Sequence, residues 1–156
     1  MQTRFLIITG MSGAGKTQVV RTLEDLKYFC IDNLPAALIP KFAELCRQTS
    51  ESNVALVVDV RGGQFFDKLL QVLDEITASG QKYELLFLDA DDATLVRRYK
   101  ETRRRHPLGD SDTLLDNLAQ ERQLLEPLLE KASYIINTSE LNATELKNRI
   151  KELFST

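Results

Sequence analysis

The stretch from Arg4 to Thr9 is a near-continuous apolar run, the pattern of a strand covered on both faces in a parallel sheet. From Thr17 to Lys27 the apolar residues Val19, Val20, Leu23 and Leu26 recur at helical spacing, so strand one is followed by helix one. Tyr28 to Ile31 reads as a short second strand running into Asp32-Asn33-Leu34-Pro35, where Pro35 suits the first turn of a helix. That helix, Ala36 to Gln48, places Leu38, Ile39, Phe42 and Leu45 on one side, and Pro40 falls early enough in it to be tolerated or to mark a break.

Val54 to Val58 is the strongest interior strand after the first, and Phe65 to Ala78 is helical through Phe66, Leu69, Leu70, Leu73 and Ile76, with Ser79-Gly80 as its stop. Glu84 to Leu88 is a fourth strand. Ala93 to Arg104 is a helix that turns basic and breaks at His106-Pro107-Leu108-Gly109-Asp110; Leu114 to Lys131 is a helix that Pro127 is expected to kink or divide. Tyr134 to Ile136 is the fifth strand, and Thr144 to Phe154 the last helix, with Asn142 as its cap. Alternation of this kind predicts an α/β, doubly wound fold: a five-stranded parallel sheet between helices, in one domain over residues 1–156, with no repeat or linker.

Between the first strand and the first helix, Gly10-Met11-Ser12-Gly13-Ala14-Gly15-Lys16-Thr17 matches G-x-x-x-x-G-K-[ST] without a mismatch. The glycines let backbone N–H groups converge on phosphate oxygens, and the helix adds the positive end of its dipole. Lys16 is placed to reach the β- and γ-phosphates and Thr17 to enter the coordination shell of Mg²⁺. A strand-loop-helix with this spacing predicts a P-loop NTPase fold of the three-layer, kinase-like kind, binding ATP or GTP with Mg²⁺.

Composition changes this picture little. With 20 basic and 23 acidic residues the net charge is −3, which does not advertise nucleic-acid binding, and no run of about 18 apolar residues exists to cross a membrane. Cys30 and Cys46 have no metal-site spacing and are expected to be reduced and buried, and no secretory leader is read before the first strand, so a cytoplasmic protein is expected.

Ligands in such sheets lie beyond the carboxyl ends of strands, which makes the residues after each strand one candidate set. Asp59, after the uniformly aliphatic third strand, is the first candidate to hold Mg²⁺ through water, and that strand should lie beside the first. Asp59-Val60-Arg61-Gly62 reads D-x-x-G, a short pattern that would bring the Gly62 N–H near a γ-phosphate. Asp89 is the rival carboxylate. Asp32 is either a general base for a hydroxyl acceptor or water, or an N-cap before Pro35; both readings stand. Six of the nine residues from Arg97 to Arg105 are basic. They suit a lid on the nucleotide with Arg103 and Arg104 at the γ-phosphate, a contact to RNA, or a solvated helix face. His106 is read as a loop residue and Tyr99 as packing, while Asn137-Thr138-Ser139 either meets the base edge or caps the last helix.

Taken together, these stretches resemble the RapZ/YvcJ family of P-loop proteins. The similarity runs through Gly10 to Thr17, Cys30-Ile31-Asp32-Asn33-Leu34-Pro35, Asp59-Val60-Arg61, Leu86 to Asp91, Thr102-Arg103-Arg104 with His106-Pro107-Leu108, and Thr138-Ser139-Glu140. It departs at Asn137, where aspartate is common, and at Gly62-Gly63. The resemblance implies ATP and GTP binding through Gly10 to Thr17 and Asp59 to Gly62, modest hydrolysis, and a regulatory role. In RapZ-like members it implies presenting RNA to a ribonuclease, with the help of a C-terminal domain expected to be absent from this chain. The alternative is a small-molecule kinase transferring the γ-phosphate to a hydroxyl acceptor at Asp32.

Overall fold

In a computed structural model of the chain, the structure describes residues 4–32, 34–49, 53–58, 63–102 and 111–155. Five strands, β1 (Phe5–Gly10), β2 (Phe29–Asp32), β3 (Val54–Val57), β4 (Glu84–Asp89) and β5 (Tyr134–Asn137), form one sheet in the order β2-β3-β1-β4-β5. Every pair is parallel, with Ile7 opposite Leu56 on one side and Leu85 on the other. The helices are α1 (Lys16–Asp25), α2 (Ile39–Thr49), α3 (Gly63–Ala78), α4 (Asp92–Thr102), α5 (Ser111–Lys131) and α6 (Ala143–Phe154), with a 3-10 turn at Ala36–Leu38. Helix α1 packs on α6, while α3 packs on α2 and α5, and α4 on α5.

All six residues of β1 and all four of β3 are buried, as sequences apolar at consecutive positions require when both sheet faces are covered. The expected neighbour relation of the first and third strands is thus observed. Of the α3 stripe expected from periodicity, Phe66, Leu69, Leu73 and Ile76 are buried and Leu70 is only partly so, while Val72, outside that reading, is buried as well. On α2 the expectation needs correction: Ile39 and Ala43 face the core, but Leu38 and Leu45 are exposed. Leu45 lies about 200° around the helix from Ala43, and Leu38 belongs to the preceding 3-10 turn, so neither joins the buried stripe.

Helix α5 continues through Pro127 without division. Asn142 caps α6 as expected, in a full capping box: its side chain accepts from the Glu145 N–H while the Glu145 carboxylate accepts from the Asn142 N–H. Pro35, rather than Asp32, occupies the cap position of the turn at Ala36, and it contributes no side-chain bond; Asp32 is the exposed last residue of β2.

At the amino end of the sheet a polar cluster ties the last helix to the strands. Arg4 donates to both Glu84 oxygens at 2.9 Å, and its third nitrogen donates to the Leu153 carbonyl at 3.3 Å while the guanidinium lies 5.0 Å over the Phe154 ring. Tyr134 donates to Glu84 at 2.7 Å, and Tyr28 to the Phe154 carbonyl at 3.1 Å. The Arg4 hydrogen bond holds the Glu84 carboxyl below its ordinary 4.5.

Because the folded pKa is depressed, the stabilising contribution is present above about 4.5 and fades as pH falls through the lower folded value. Glu84→Gln should therefore cost about 1–2 kcal/mol at neutral pH, discounted for partial exposure. Urea denaturation should show the difference from wild type shrinking as pH is lowered below 4.5. A gap that stays constant across that range would mean charge is not its source.

Cys30 is half-buried and unpaired in any disulfide, and burial pushes its thiol up from 9.0 to about 11. The side chain of Cys46 lies outside the described residues. In a Cys46→Ser background, Cys30 should carry about a hundredfold less thiolate at neutral pH than an ordinary thiol and alkylate correspondingly slowly. Alkylation at the rate of a free cysteine would show the site to be open.

Candidate functional site

The strand-loop-helix formed by β1, Gly10 to Thr17 and α1 stands at the carboxyl end of the central strand. Its loop is anchored from below by Met11 and Ala14, whose side chains are buried in the core, and by the Met11 N–H, which donates to the Leu88 carbonyl of β4 at 3.0 Å. The Ala14 N–H closes back on the Met11 carbonyl at 3.1 Å. Gly15 stands at the cap position of α1 with φ 113° and ψ 22°, a left-handed conformation that favours glycine.

No side chain caps α1, and its first turn carries no acidic residue. The leading N–H groups and the positive end of the helix are therefore not neutralised from within their own turn, which is the requirement for receiving an anion. Lys16 folds back over the start of the loop, its Nζ 3.0 Å from the Gly10 carbonyl and 3.5 Å from that of Met11. Thr17 is exposed beside it, and Ser12 and Gly13 are exposed on the loop.

Donors from two later elements brace the carbonyl side of the loop. Thr138, buried after β5, donates to the Ala14 carbonyl at 2.7 Å. Arg98 of α4 donates to the Gly13 carbonyl at 3.1 Å and to the Thr138 hydroxyl and carbonyl at 3.0 and 2.8 Å. With the Gly13 and Ala14 carbonyls held from these two elements, the loop is braced in its shape. Thr138 is expected at the base edge or as a cap of the last helix, and Arg98 in a lid, an RNA contact or a solvated face; the structure gives both a bracing position.

The carboxyl ends of β4 and β5 are tied by the same means. The Thr138 N–H donates to the Asp89 carbonyl at 2.8 Å, and the Asp91 N–H to the Ser139 hydroxyl at 2.7 Å. Asp91 caps α4, accepting from the Thr94 N–H at 2.8 Å, and this bond with the Thr94 side chain holds its carboxyl below the ordinary range. Asn137 accepts from Ser139 at 2.9 Å. The cap of α6 is Asn142, so residues 137–139 do not serve that purpose.

Asp89 is engaged on one oxygen by its neighbour Ala90 N–H at 2.7 Å and by Arg122 at 2.9 Å. Arg122 also pairs with Asp92 at 2.8 Å and donates to the Ala90 carbonyl at 2.6 Å. Burial lowers the affinity of that guanidinium for its proton, but the bonds to Asp92 and Asp89 outweigh it and raise the pKa. Asp32 lies two strands from β1, about 10 Å by sheet spacing, at the same end of the sheet as the loop.

The third strand reaches the loop's flank, the Val58 N–H donating to the Ile8 carbonyl at 2.9 Å. Asp59, Val60, Arg61 and Gly62, together with Arg103, Arg104, Arg105 and His106, lie outside the described residues. Among those described, no group of three acidic, histidine or cysteine residues is arranged to hold a metal ion, and no helix is long and apolar enough to cross a membrane.

One acidic residue reaches the loop from a distance. Glu121 of α5 accepts from the Ser12 N–H at 2.9 Å and from the Ser12 hydroxyl at 2.8 Å. It had no sequence signal, nor did Arg122.

The family model of the RapZ-like N-terminal domain matches residues 3–156. The chain belongs to that family. A nucleotide-binding protein of Clostridium botulinum strain Hall is 52% identical over 153 residues, covering 97% of this chain and 52% of the relative. A nucleotide-binding protein of Clostridium acetobutylicum is 50% identical over 153 residues, with the same coverage. This RapZ-like chain spans about half the length of the curated relatives it matches.

Among solved structures, shikimate kinase from Bacteroides thetaiotaomicron is similar with a TM-score of 0.66 at 22% identity, covering all of both chains. The tunicamycin resistance protein of Deinococcus radiodurans gives 0.70 at 16% identity, covering 99% of this chain and 98% of its own. At such identities the likeness is one of fold: the RapZ-like domain has the P-loop, kinase-like α/β architecture.

Proposed function

We propose that this RapZ-like domain binds ATP or GTP with Mg²⁺, hydrolyses it weakly, and uses nucleotide occupancy to regulate a partner. The observation that carries the reading is the loop itself: an uncapped helix start behind a left-handed Gly15, carbonyls braced by Arg98 and Thr138, and Lys16 folded back over the loop's start. These features suit a polyphosphate, and the relatives' description as nucleotide-binding proteins agrees with it.

In this reading the backbone from Gly10 through Met11, Ser12, Gly13, Ala14 and Gly15 cradles the phosphates, and Lys16 balances β- and γ-phosphate charge. Thr17 and Asp59 hold Mg²⁺, which neutralises charge developing on the transferred phosphoryl group. Val60, Arg61 and Gly62 follow Asp59 toward the γ-phosphate, and Arg103 and Arg104 approach it from the basic segment. In a longer protein of this family the domain acts in the cytoplasm, with RNA and a ribonuclease as partners. The test is calorimetric titration with non-hydrolysable ATP and GTP analogues, with and without Mg²⁺, beside Lys16→Ala. Absence of heat with either analogue rejects the reading.

A second reading, a small-molecule kinase, draws on Asp32, which stands exposed at the carboxyl end of β2 on the loop's side of the sheet. A panel of hydroxyl compounds with ATP that yields no phosphorylated product removes it.

A further inference from the structure

The contact between Glu121 and Ser12 is unusual for its place. The loop is built to offer N–H groups to anions, yet one of its amides and its one hydroxyl before Lys16 are already taken by a carboxylate from a helix 109 residues further along the chain. The carboxylate meets the loop through both oxygens, at 2.9 and 2.8 Å. Its position is fixed from the next residue: Arg122 is tied to Asp89, Asp92 and the Ala90 carbonyl at the end of β4. The loop hangs from that same strand through the Met11 N–H on Leu88. Helix α5 and the loop thus share an anchor, which sets the register between Glu121 and Ser12.

The contact falls at a particular end of the site. Lys16 Nζ lies 3.5 Å from the Met11 carbonyl, and the Met11 carbonyl and the Ser12 N–H belong to one peptide unit. The ammonium that in the reading above serves the outermost phosphates lies at the carbonyl edge of the same trans peptide whose N–H edge holds Glu121. The α- and β-phosphates are the business of the later amides, toward the start of α1. A terminal phosphate approaching Ser12 meets a like charge already seated there, and one N–H cannot satisfy both.

From this geometry we propose that Glu121 is an internal competitor for the terminal phosphate and sets the preference of the loop between nucleoside di- and triphosphates. The inference rests on the nucleotide-binding reading above. A diphosphate fills the later amides and leaves Glu121 in place; a triphosphate must displace it. The residue thereby tunes specificity by opposing the longer ligand.

The test is calorimetry on the purified chain with ADP and a non-hydrolysable ATP analogue, in Mg²⁺, comparing wild type with Glu121→Gln and Glu121→Ala. The glutamine keeps the shape and removes the charge; the alanine removes the contact. Both variants should tighten the ATP analogue about tenfold while ADP changes by less than about twofold, the scale of losing one charge-assisted contact. Equal tightening of both ligands overturns the proposal, as does unchanged or weaker binding of the analogue. Lys16→Ala separates the two levels of inference. If the analogue binds wild type and is lost in Lys16→Ala while the Glu121 variants behave as wild type, competition alone falls. If neither ligand binds wild type or the Glu121 variants, the nucleotide reading fails and the competition with it.

Discussion

Lys16→Ala should weaken binding of a non-hydrolysable ATP or GTP analogue about a hundredfold, the consequence of removing a charge-assisted contact to the outer phosphates from a partly desolvated loop. The ammonium is already positioned over the loop start, 3.0 Å from the Gly10 carbonyl, so little ordering is needed when an anion arrives. Stability should change by less than about 1 kcal/mol, because the lost bonds join a half-exposed side chain to backbone carbonyls. Titration calorimetry beside urea denaturation separates the two effects. Binding that survives the substitution unchanged would remove Lys16 from the site, and binding lost together with the fold would reveal a structural role instead.

Gly10→Ala should have the largest effect on the fold. A Cβ at this position would stand 2.1 Å from the Leu88 carbonyl oxygen and 2.7 Å from its nitrogen, and φ is +143°. Both obstacles are backbone of β4, the central strand's neighbour, and cannot swing aside as a side chain does. Strand and loop would have to part, breaking the Met11 bond to Leu88 and the register that carries Arg122 and Glu121. A loss of about 4 kcal/mol or more is expected in urea denaturation.

Gly80→Ala is the control, since Gly80 also has positive φ, +86°, but nothing lies within 4 Å of its Cβ. It should cost about 1–2 kcal/mol, the backbone term alone. Equal losses for the two glycines would show that close approach to β4 is not what Gly10 serves.

The strands and most helices were legible because each has to bury apolar surface, and the period of that surface reveals the element. Continuous apolar runs marked β1 and β3, helical recurrence marked α1 and α3, and the Asn142 cap marked the start of α6. The same logic overreached at Leu38 and Leu45, which are apolar yet exposed, because burial depends on which arc of the helix faces a neighbour and not on the residue alone. Of the kink or division expected at Pro127, the division does not occur, and α5 runs to Lys131.

The phosphate loop was legible for a different reason. Its function resides in backbone conformation, so the glycines, lysine and threonine must occur at fixed local spacing, and local spacing is what a sequence displays. The residues around it were not. Arg98 read as one of six cations in a basic run, and Thr138 as a base contact or cap, because a side chain's partner is invisible when it lies 85 or 124 residues away.

The sequence by itself determined the alternating strand and helix order, the phosphate loop and the family, all of which depend on neighbours along the chain. Tertiary structure alone decided that Arg98 and Thr138 brace the loop's carbonyls, that Arg122 engages Asp89, and that Glu121 rests on Ser12. Those contacts are set by strand order β2-β3-β1-β4-β5, which brings the ends of distant elements to one edge of the sheet. Hydrogen bonding is short-ranged in space and indifferent to separation in sequence, so only the folded arrangement could select these partners.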